Sequence, residues 1–244
     1  MKIFKKLAVL GVTLAMSVGI GLSATSSVHA SAHDTDDWYQ YPSGWYLYGR
    51  YTHQWLYGWQ SVTTEYNSPS NREVNAYSYI DQNHGALFGW QYIDSNWYYL
   101  GNNGYFYSNT NGSGHWQVID GGWYYFRGID DGNRWFGESN GEGSMVAGWL
   151  PHNGSWYLLS SSGAMLTGWQ WANGNWYFLN DSGSMSTGWI AHNGSWYYTN
   201  NSGAMQTGWQ WINGNWYYFD ASGAMLTSGN VGGWTITGSG AAFN

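Results

Sequence analysis

The segment from Gly148 to Thr227 consists of four consecutive units of 20 residues: GWLPHNGSWYLLSSSGAMLT, GWQWANGNWYFLNDSGSMST, GWIAHNGSWYYTNNSGAMQT and GWQWINGNWYYFDASGAMLT. Each unit has two tryptophans seven residues apart, and both recur at the same places in every unit. An internal repeat of this period is typical of a solenoid, in which each unit buries one face against its neighbour. The sequence therefore predicts a stack of four similar units.

The local pattern predicts that each unit is a β-hairpin. Asn-Gly lies between the two tryptophans in all four units, from Asn153-Gly154 to Asn213-Gly214. This dipeptide favours a type I′ turn, which requires positive φ at both central residues. The flanking residues alternate large rings with smaller or polar groups, as strands with one aromatic face do. The Ser-Gly-Ala/Ser-Met segment that follows is expected to be the connector.

Two less regular units precede these four. Trp90 and Trp97 repeat the seven-residue spacing, and so do Trp116 and Trp123, while residues 127–144 are a Gly- and Asp-rich insertion. The predicted fold class is all-β, a C-terminal solenoid of stacked hairpins plus a small N-terminal β module. The expected boundaries are a signal peptide at 1–30, the N-terminal module at 31–84, the repeats at 85–228 and a C-terminal cap at 229–244.

Composition supports this architecture and excludes several function classes. The 244 residues include 20 Trp, 22 Tyr and 36 Gly but no Cys, so a core would consist of rings, and disulfides or thiolate metal sites are excluded. All three lysines lie in the first 30 residues, which leaves four arginines against 14 acidic residues. Nucleic acid is therefore not expected as a partner, because phosphate recognition requires clustered cations.

The first 30 residues have the features of a secretory signal peptide. Lys2, Lys5 and Lys6 precede an apolar stretch from Leu7 to Leu22, and Val28-His29-Ala30 suits cleavage after Ala30. We expect a secreted protein without a membrane span after removal of this segment.

The unit GW-x4-G-x-WYY-x3-SGAM-x-T resembles the choline-binding, or cell-wall-binding, repeat of Gram-positive surface proteins. The resemblance implies that choline lies between consecutive hairpins. It would contact both tryptophans of one unit and the third residue of the Trp-Tyr-Tyr triplet in the next unit. The implied choline sites are Trp169, Trp176 and Tyr198; Trp189, Trp196 and Tyr218; Trp149, Trp156 and Phe178; and Trp90, Trp97 and Tyr125.

Two further tryptophan pairs are not expected to form sites. The pair Trp116 and Trp123 would need a ring at Leu158, and Trp209 with Trp216 has no following triplet, since the register reaches Gly238. The implied partner is the choline-decorated teichoic acid of the cell wall, and the implied localisation is secreted and cell-wall associated. In that family the terminal hairpins often dimerise, which leaves a homodimer open here.

The chemistry of the rings agrees with a quaternary ammonium ligand, which cannot donate hydrogen bonds and is attracted by aromatic faces. Two other interpretations remain: the rings form only the core of the solenoid, or they stack on sugars, as in glucan-binding repeats. No catalytic residue, metal site or cofactor is expected. The histidines lack metal-ligand spacing, and the paired carboxylates at Asp36-Asp37 and Asp130-Asp131 lie in polar loops.

The N-terminal module shows a weaker resemblance to the lactococcin-972-like secreted bacteriocins, carried by Gly44-Trp45, Tyr48-Gly49 and the segment 66–70. The basic and His residues usual after Pro-Ser in that family are replaced here by Asn71, Arg72 and Glu73. The resemblance implies an antibacterial effector. An adhesion module and a divergent cap for the solenoid are the alternatives.

Overall fold

The computed structural model describes residues 31–32, 37–49, 52–64, 74–101, 104, 106–107, 114–128 and 143–243. Every regular element in these residues is a β-strand, which confirms the predicted all-β class of repeated hairpins. No helix in this described part is long and apolar enough to cross a membrane. The predicted signal peptide and the bacteriocin-like segment 66–73 lie outside the described residues, as does most of the insertion.

The chain forms two compact units, divided between Val146 and Ala147. The first contains a sheet ordered β1-β5-β6-β10 with β7 beside β6, a three-stranded sheet β2-β3-β4, and the hairpins β8–β9 and β11–β12. Its strands are β1 (Ser31–Ala32), β2 (Asp37–Tyr41), β3 (Gly44–Gly49), β4 (Gln54–Leu56), β5 (Gly58–Thr64), β6 (Val74–Asp81), β7 (Gly85–Ala86), β8 (Gly89–Ile93), β9 (Asn96–Leu100), β10 (Phe106–Tyr107), β11 (His115–Ile119) and β12 (Gly122–Phe126).

The second unit consists of four hairpins of equal length followed by a short terminal segment. Its last sheet is ordered β19-β20-β23-β22-β21. The strands are β13 (Gly148–His152), β14 (Ser155–Leu159), β15 (Gly168–Ala172), β16 (Asn175–Leu179), β17 (Gly188–His192), β18 (Ser195–Thr199), β19 (Gly208–Ile212), β20 (Asn215–Phe219), β21 (Gly229–Val231), β22 (Trp234–Ile236) and β23 (Ala242–Phe243).

The turns of these hairpins have the predicted conformation. Asn153 and Gly154 have φ angles of 47° and 76°, and in the other three pairs the Asn φ is 48° and the Gly φ lies between 78° and 88°. Positive φ at both central residues is the signature of the type I′ turn, whose twist matches that of the flanking strands. The local sequence therefore sets the length and register of these four hairpins.

The connectors link successive repeats by a hydrogen bond and by a packing contact. The Met185 amide donates to the Trp156 carbonyl oxygen of the preceding repeat at 2.7 Å, and Met205 does the same for Trp176 at 2.8 Å. Gly203, at φ +82°, leaves no room for a side chain, because a Cβ there would collide with the Met185 sulfur. The Gly-Met connector is thus a stacking device as well as a chain reversal.

Each hairpin has two different faces. In the β15–β16 hairpin, Trp169 lies opposite Phe178 and Trp171 opposite Trp176, so these four rings share one face, the outer face. Leu179 lies on the other side, the inner face, and is fully buried, whereas Trp176 is 41% exposed. The inner face thus carries the fully buried residue of this hairpin, and the outer face carries its tryptophans.

The repeat contacts begin earlier than the 20-residue count indicates. In the β5–β6 hairpin, Gly58 has a φ of +74°, and Gln60 Nε2 donates to the Tyr57 carbonyl oxygen at 2.7 Å. The next hairpin repeats this contact with Gln91 and Phe88 at 2.6 Å. These repeat-type features therefore start at Gly58, within the segment that the sequence analysis assigns to the N-terminal module.

Candidate ligand-binding site

The first tryptophan of each full repeat packs against the next repeat. The ring centroids of Trp149 and Tyr177 are 4.9 Å apart, those of Trp169 and Tyr197 are 5.0 Å apart, and those of Trp189 and Tyr217 are 4.8 Å apart. In each case a ring on the outer face of one hairpin meets a tyrosine on the inner face of the next. The first tryptophans therefore belong to the core between repeats.

The second tryptophans are exposed in every repeat. Their exposed fractions lie between 36% and 48%, for Trp97, Trp123, Trp156, Trp176, Trp196 and Trp216. Packing of the solenoid alone gives no reason to keep a large apolar ring in water six times, and recurrent exposed apolar groups mark interaction sites. The interpretation that all these rings serve only as core therefore does not account for the second tryptophans.

In three repeats the two tryptophans stand nearly perpendicular. Trp189 and Trp196 have centroids 6.2 Å apart at 87°, the pair Trp149 and Trp156 is 6.3 Å apart at 81°, and Trp209 with Trp216 is 6.4 Å apart at 89°. Two perpendicular rings at such a spacing can form adjacent walls of a corner. A cation about 4.5 Å above both rings would lie well within the ~6 Å reach of a cation–π interaction.

Two repeats contain an extra tryptophan beside the second one. Trp171 lies 5.6 Å from Trp176, and Trp211 lies 5.4 Å from Trp216, measured between ring centroids. Both extra rings are about 60% exposed. They widen the aromatic surface at the turn end of the hairpin, where the other two repeats have Pro151 or Ala191.

The predicted third residues of the sites lie on the outer faces of their own hairpins. Tyr198 contacts Trp189 at 5.2 Å, and Phe178 contacts Trp169 at 5.2 Å. Tyr218 contacts Trp209 and Tyr125 contacts Trp116, each with a ring-centroid distance of 5.1 Å. That these third residues close the site of the preceding repeat stays a prediction.

The second residue of the triplet makes the ring contact with the preceding repeat, and sequence reasoning missed it. Tyr177, Tyr197 and Tyr217 have this role in the second unit, and Tyr124 has it in the first, 4.9 Å from Trp90. Alternation along the strand places Tyr197 and Tyr198 on opposite faces, but it does not say which face meets the preceding repeat. Trp97, which the sequence analysis groups with Trp90, contacts Tyr92 with a ring-centroid distance of 5.2 Å.

The electrostatic surroundings favour a cation. Residues 147–244 contain no Lys or Arg, and their only acidic side chains are Asp181 and Asp220. A cation would therefore be held by ring faces with no competing positive charge, whereas an anion would find no cationic partner in this segment.

The histidines of the repeats have a structural role. Asn153 Nδ2 donates to His152 Nε2 at 3.1 Å, and Asn193 does the same for His192 at 3.0 Å. Both pairs flank the type I′ turn at equivalent positions, as expected for ordinary repeat residues. Within the described ranges, no group of three or more His, Asp or Glu side chains could hold a metal ion.

Comparison with protein families identifies two repeat models in the chain. A choline-binding repeat matches residues 166–207, and a cell wall binding repeat matches residues 89–106, 116–128, 148–165 and 207–225. The matches span all six tryptophan pairs of the sequence analysis, and both begin at or after residue 89. A search of the curated proteins gives no match.

Several solved structures are similar to the chain. The choline binding domain of Spr1274 from Streptococcus pneumoniae is 41% identical over 32% of this chain and 96% of that one, with a TM-score of 0.31. Choline binding protein F from the same organism is 26% identical over 86% and 94%, with a TM-score of 0.46. The cell wall endolysin of phage Cp-1, solved in complex with choline, is 32% identical over 54% and 37%, with a TM-score of 0.37.

Proposed function

Because this chain belongs to the choline-binding repeat family, we propose that it attaches to choline groups of a bacterial cell wall through the tryptophan corners of its repeats. The observation that carries the proposal is the exposed second tryptophan, which recurs in every repeat and stands perpendicular to the first in three of them. A trimethylammonium group fits such a corner because it needs ring faces and no hydrogen-bond acceptor.

The expected affinity of one site is modest, and the repeat array compensates for it. Two or three rings at about 1 kcal/mol or somewhat more each correspond to roughly millimolar binding. Several sites on one polymer raise the avidity by about 10² to 10⁴. The polymer we propose is a choline-decorated teichoic acid, since the acidic chain would select the cationic choline rather than the neighbouring phosphates.

The proposed role is that of a secreted, non-enzymatic wall-binding protein. Export is supported by the Lys-rich start and apolar stretch of residues 1–30. The N-terminal residues would carry the specific task, either an antibacterial activity or adhesion. The assignment of a task to these residues is supported by the sheet β2-β3-β4, which precedes the repeat-type hairpins and does not follow their pattern.

The test is retention of the full chain on a choline-bearing matrix. Because the net charge of −7 would also hold the protein on an amine matrix, the column is first washed with enough sodium chloride to screen ion exchange. We expect the protein to stay bound and then to elute with tens of millimolar free choline. Elution by salt alone would contradict the proposal, and retention on a dextran matrix would favour the sugar-binding alternative.

A further inference from the structure

The sheet β2-β3-β4 carries five aromatic rings on one face, which we call the tyrosine face. The strand register and the alternation of side chains place on this face Tyr39, Tyr41, Tyr46, Tyr48 and Trp55. The other face carries Leu47 and Leu56, which are buried in a core with Ile80 and Ala86. The tyrosine face therefore points away from that core, and it contains none of the tryptophans of the repeats.

Trp55 lies in the middle of the four tyrosines, although it belongs to the edge strand β4. Its ring centroid is between 5.2 and 6.3 Å from the centroid of each tyrosine ring. Tyr39 and Tyr41 belong to β2, which is two strand spacings, or about 10 Å, from β4. The indole of Trp55 therefore extends across the central strand β3 to reach them.

The angles between the rings show that this indole lies flat on the sheet. Tyr39 and Tyr48 are at 89° to each other, and Trp55 is at 79° and 70° to them. Tyr41 and Tyr46 are at 80° to each other, and Trp55 is at 73° and 77° to them. Because strand side chains stand roughly perpendicular to the sheet, a ring that crosses both members of each pair lies roughly parallel to it. One side of the indole thus covers the tyrosines, and the 36% of Trp55 that is exposed lies on the other side.

The platform is held in place by contacts within the protein. The Tyr46 hydroxyl donates to the Asn83 carbonyl oxygen at 2.8 Å and lies 3.0 Å from Ser43 Oγ. Tyr46 is only 9% exposed, and edge-to-face contacts such as those of Trp55 are a favourable arrangement of aromatic rings. The indole is therefore ordered before a ligand arrives, which lowers the entropic cost of binding.

The surroundings of the tyrosine face favour a neutral ligand with one flat apolar side. Residues 38–49 and 52–64 contain no Lys, Arg, Asp or Glu, so this face offers little ionic attraction. A quaternary ammonium group is held best by several ring faces, whereas here one indole lies flat and the tyrosines stand perpendicular to it. The C–H face of a pyranose can stack on such an indole, and phenol hydroxyls can both donate to and accept from sugar hydroxyls.

The size of the tyrosine face favours a sugar chain over a protein partner. The rings span about 10 Å across the strands and about 7 Å along them. Each partner in a standard protein complex buries roughly 800 Å², about ten times that area. A sugar chain needs much less, because a single ring stacked on Trp55 can anchor it.

We propose that the tyrosine face binds a neutral pyranose chain, with one sugar ring on Trp55 and neighbouring sugar hydroxyls bonded to Tyr39, Tyr41 and Tyr48. The sugar chemistry is independent of the proposed function, since it involves other residues and another ligand class. The source we assign is the glycan strand of the same bacterial wall. This choice rests on the proposed function, because choline attachment would keep the whole chain on that wall.

The first experiment follows the Trp55 indole N–H resonance of the full chain by ¹H–¹⁵N NMR, with chitotetraose as the probe. The resonance is identified by its absence from Trp55→Phe. We expect a saturable shift in the millimolar range, also when choline is present in excess. Sorbitol, which has hydroxyls but no ring, should cause no saturable shift.

Two outcomes of this titration overturn the proposal. The first is no saturable Trp55 shift with chitotetraose, and a choline response at Trp196 in the same sample would leave the proposed function standing. The second is a Trp55 resonance that responds to dilution of the protein and not to the sugar, which would assign the tyrosine face to a second copy of the chain.

The source is tested by sedimentation with purified peptidoglycan from which teichoic acid has been removed. The full chain should sediment with it even in excess choline. Trp55→Leu should lower the bound fraction several-fold, whereas Gln54→Ala, at an exposed position of the same strand, should not. If Trp55→Leu disrupts the sheet, Trp55→Phe keeps a ring and should bind with several-fold weaker affinity.

The sedimentation results separate the site from its source. A folded Trp55→Leu protein that binds peptidoglycan as well as the unmodified chain overturns the tyrosine face as the site. A Trp55 shift with chitotetraose but no sedimentation with peptidoglycan overturns the wall glycan as the source.

Discussion

The rings of Trp189 and Trp196 stand at 87° to each other, with their centroids 6.2 Å apart, yet the two residues have different surroundings. Trp189 also contacts Tyr198, Tyr217 and Phe219, whereas Trp196 is 47% exposed. The same division between a packed and an exposed tryptophan recurs along the array. One ring of each pair holds the repeats together, and the other is available to a ligand.

This division predicts opposite effects of two matched substitutions. Trp196→Leu should change the free energy of unfolding by only about 1 kcal/mol, because nearly half of the side chain is already in water. Trp189→Leu should cost about 2–4 kcal/mol, because it leaves a cavity between two repeats. Urea unfolding measures both, and retention on choline should fall in both proteins. Equal losses of stability would contradict the separation of roles.

The third aromatic residue of the triplet is tested by Tyr198→Leu, with Tyr197→Leu as its neighbour control. Tyr198→Leu should fold and bind one choline fewer, because it keeps bulk but removes a ring face. Tyr197→Leu should mainly lower stability, since Tyr197 packs on Trp169 at 5.0 Å. Unchanged stoichiometry in a folded Tyr198→Leu protein would remove Tyr198 from the site.

The connector glycines predict a stability difference between two otherwise similar changes. Gly203→Ala and Gly214→Ala both place a side chain at a φ above +80°, which costs roughly 1–2 kcal/mol. Only at Gly203 does the new Cβ also collide with Met185, whereas Gly214 has open space. Chemical denaturation should therefore show a larger loss for Gly203→Ala. Equal losses would mean that the Met–Gly contact does not matter for stacking.

Asp220 predicts a dependence of stability on pH. Its carboxylate accepts hydrogen bonds from the Ser222 hydroxyl and from the Ser222 and Ala224 amides, and these bonds, the hydroxyl foremost, lower its pKa below the ordinary value. A depressed pKa in the folded state stabilises the fold above the unfolded pKa of about 3.9. That contribution is lost as the pH falls through the folded pKa.

The chain itself contains a neutral counterpart of Asp220. Asn200 occupies the equivalent position in the preceding repeat, and its Oδ1 accepts hydrogen bonds from the Ser202 hydroxyl and from the Ser202 and Ala204 amides. In Asp220→Asn the fall in unfolding free energy between about pH 5 and pH 2 should be smaller than in the unmodified protein. Urea unfolding at several pH values measures it. Identical pH profiles would contradict the role of the Asp220 carboxylate.

The hairpins were predictable because their determinants are local. Asn153-Gly154 specifies its turn through its own φ angles, and the alternation of rings along five residues specifies which of them share a face. Contacts between repeats were harder to predict. Whether Tyr197 or Tyr198 meets Trp169 depends on how one hairpin stacks on the next, and the pattern within a single unit does not contain that information.

Counting residues also failed where the strands change length. The hairpin of Trp59 has strands of seven and eight residues, and that of Trp234 has strands of three, so neither falls on the 20-residue period. Both nevertheless keep the inter-repeat ring contact, at 4.8 Å between Trp59 and Tyr98 and at 5.9 Å between Trp234 and Trp209. Neighbouring hairpins therefore keep the ring contact even where the number of residues between their tryptophans changes.

A crystal structure of the chain at saturating choline tests the central claim most directly. We predict a trimethylammonium group in the corner between Trp189 and Trp196, with its nitrogen within about 6 Å of both ring centroids. Choline bound only away from the tryptophan corners, or corners that stay empty at a concentration that elutes the protein from a choline matrix, would contradict it.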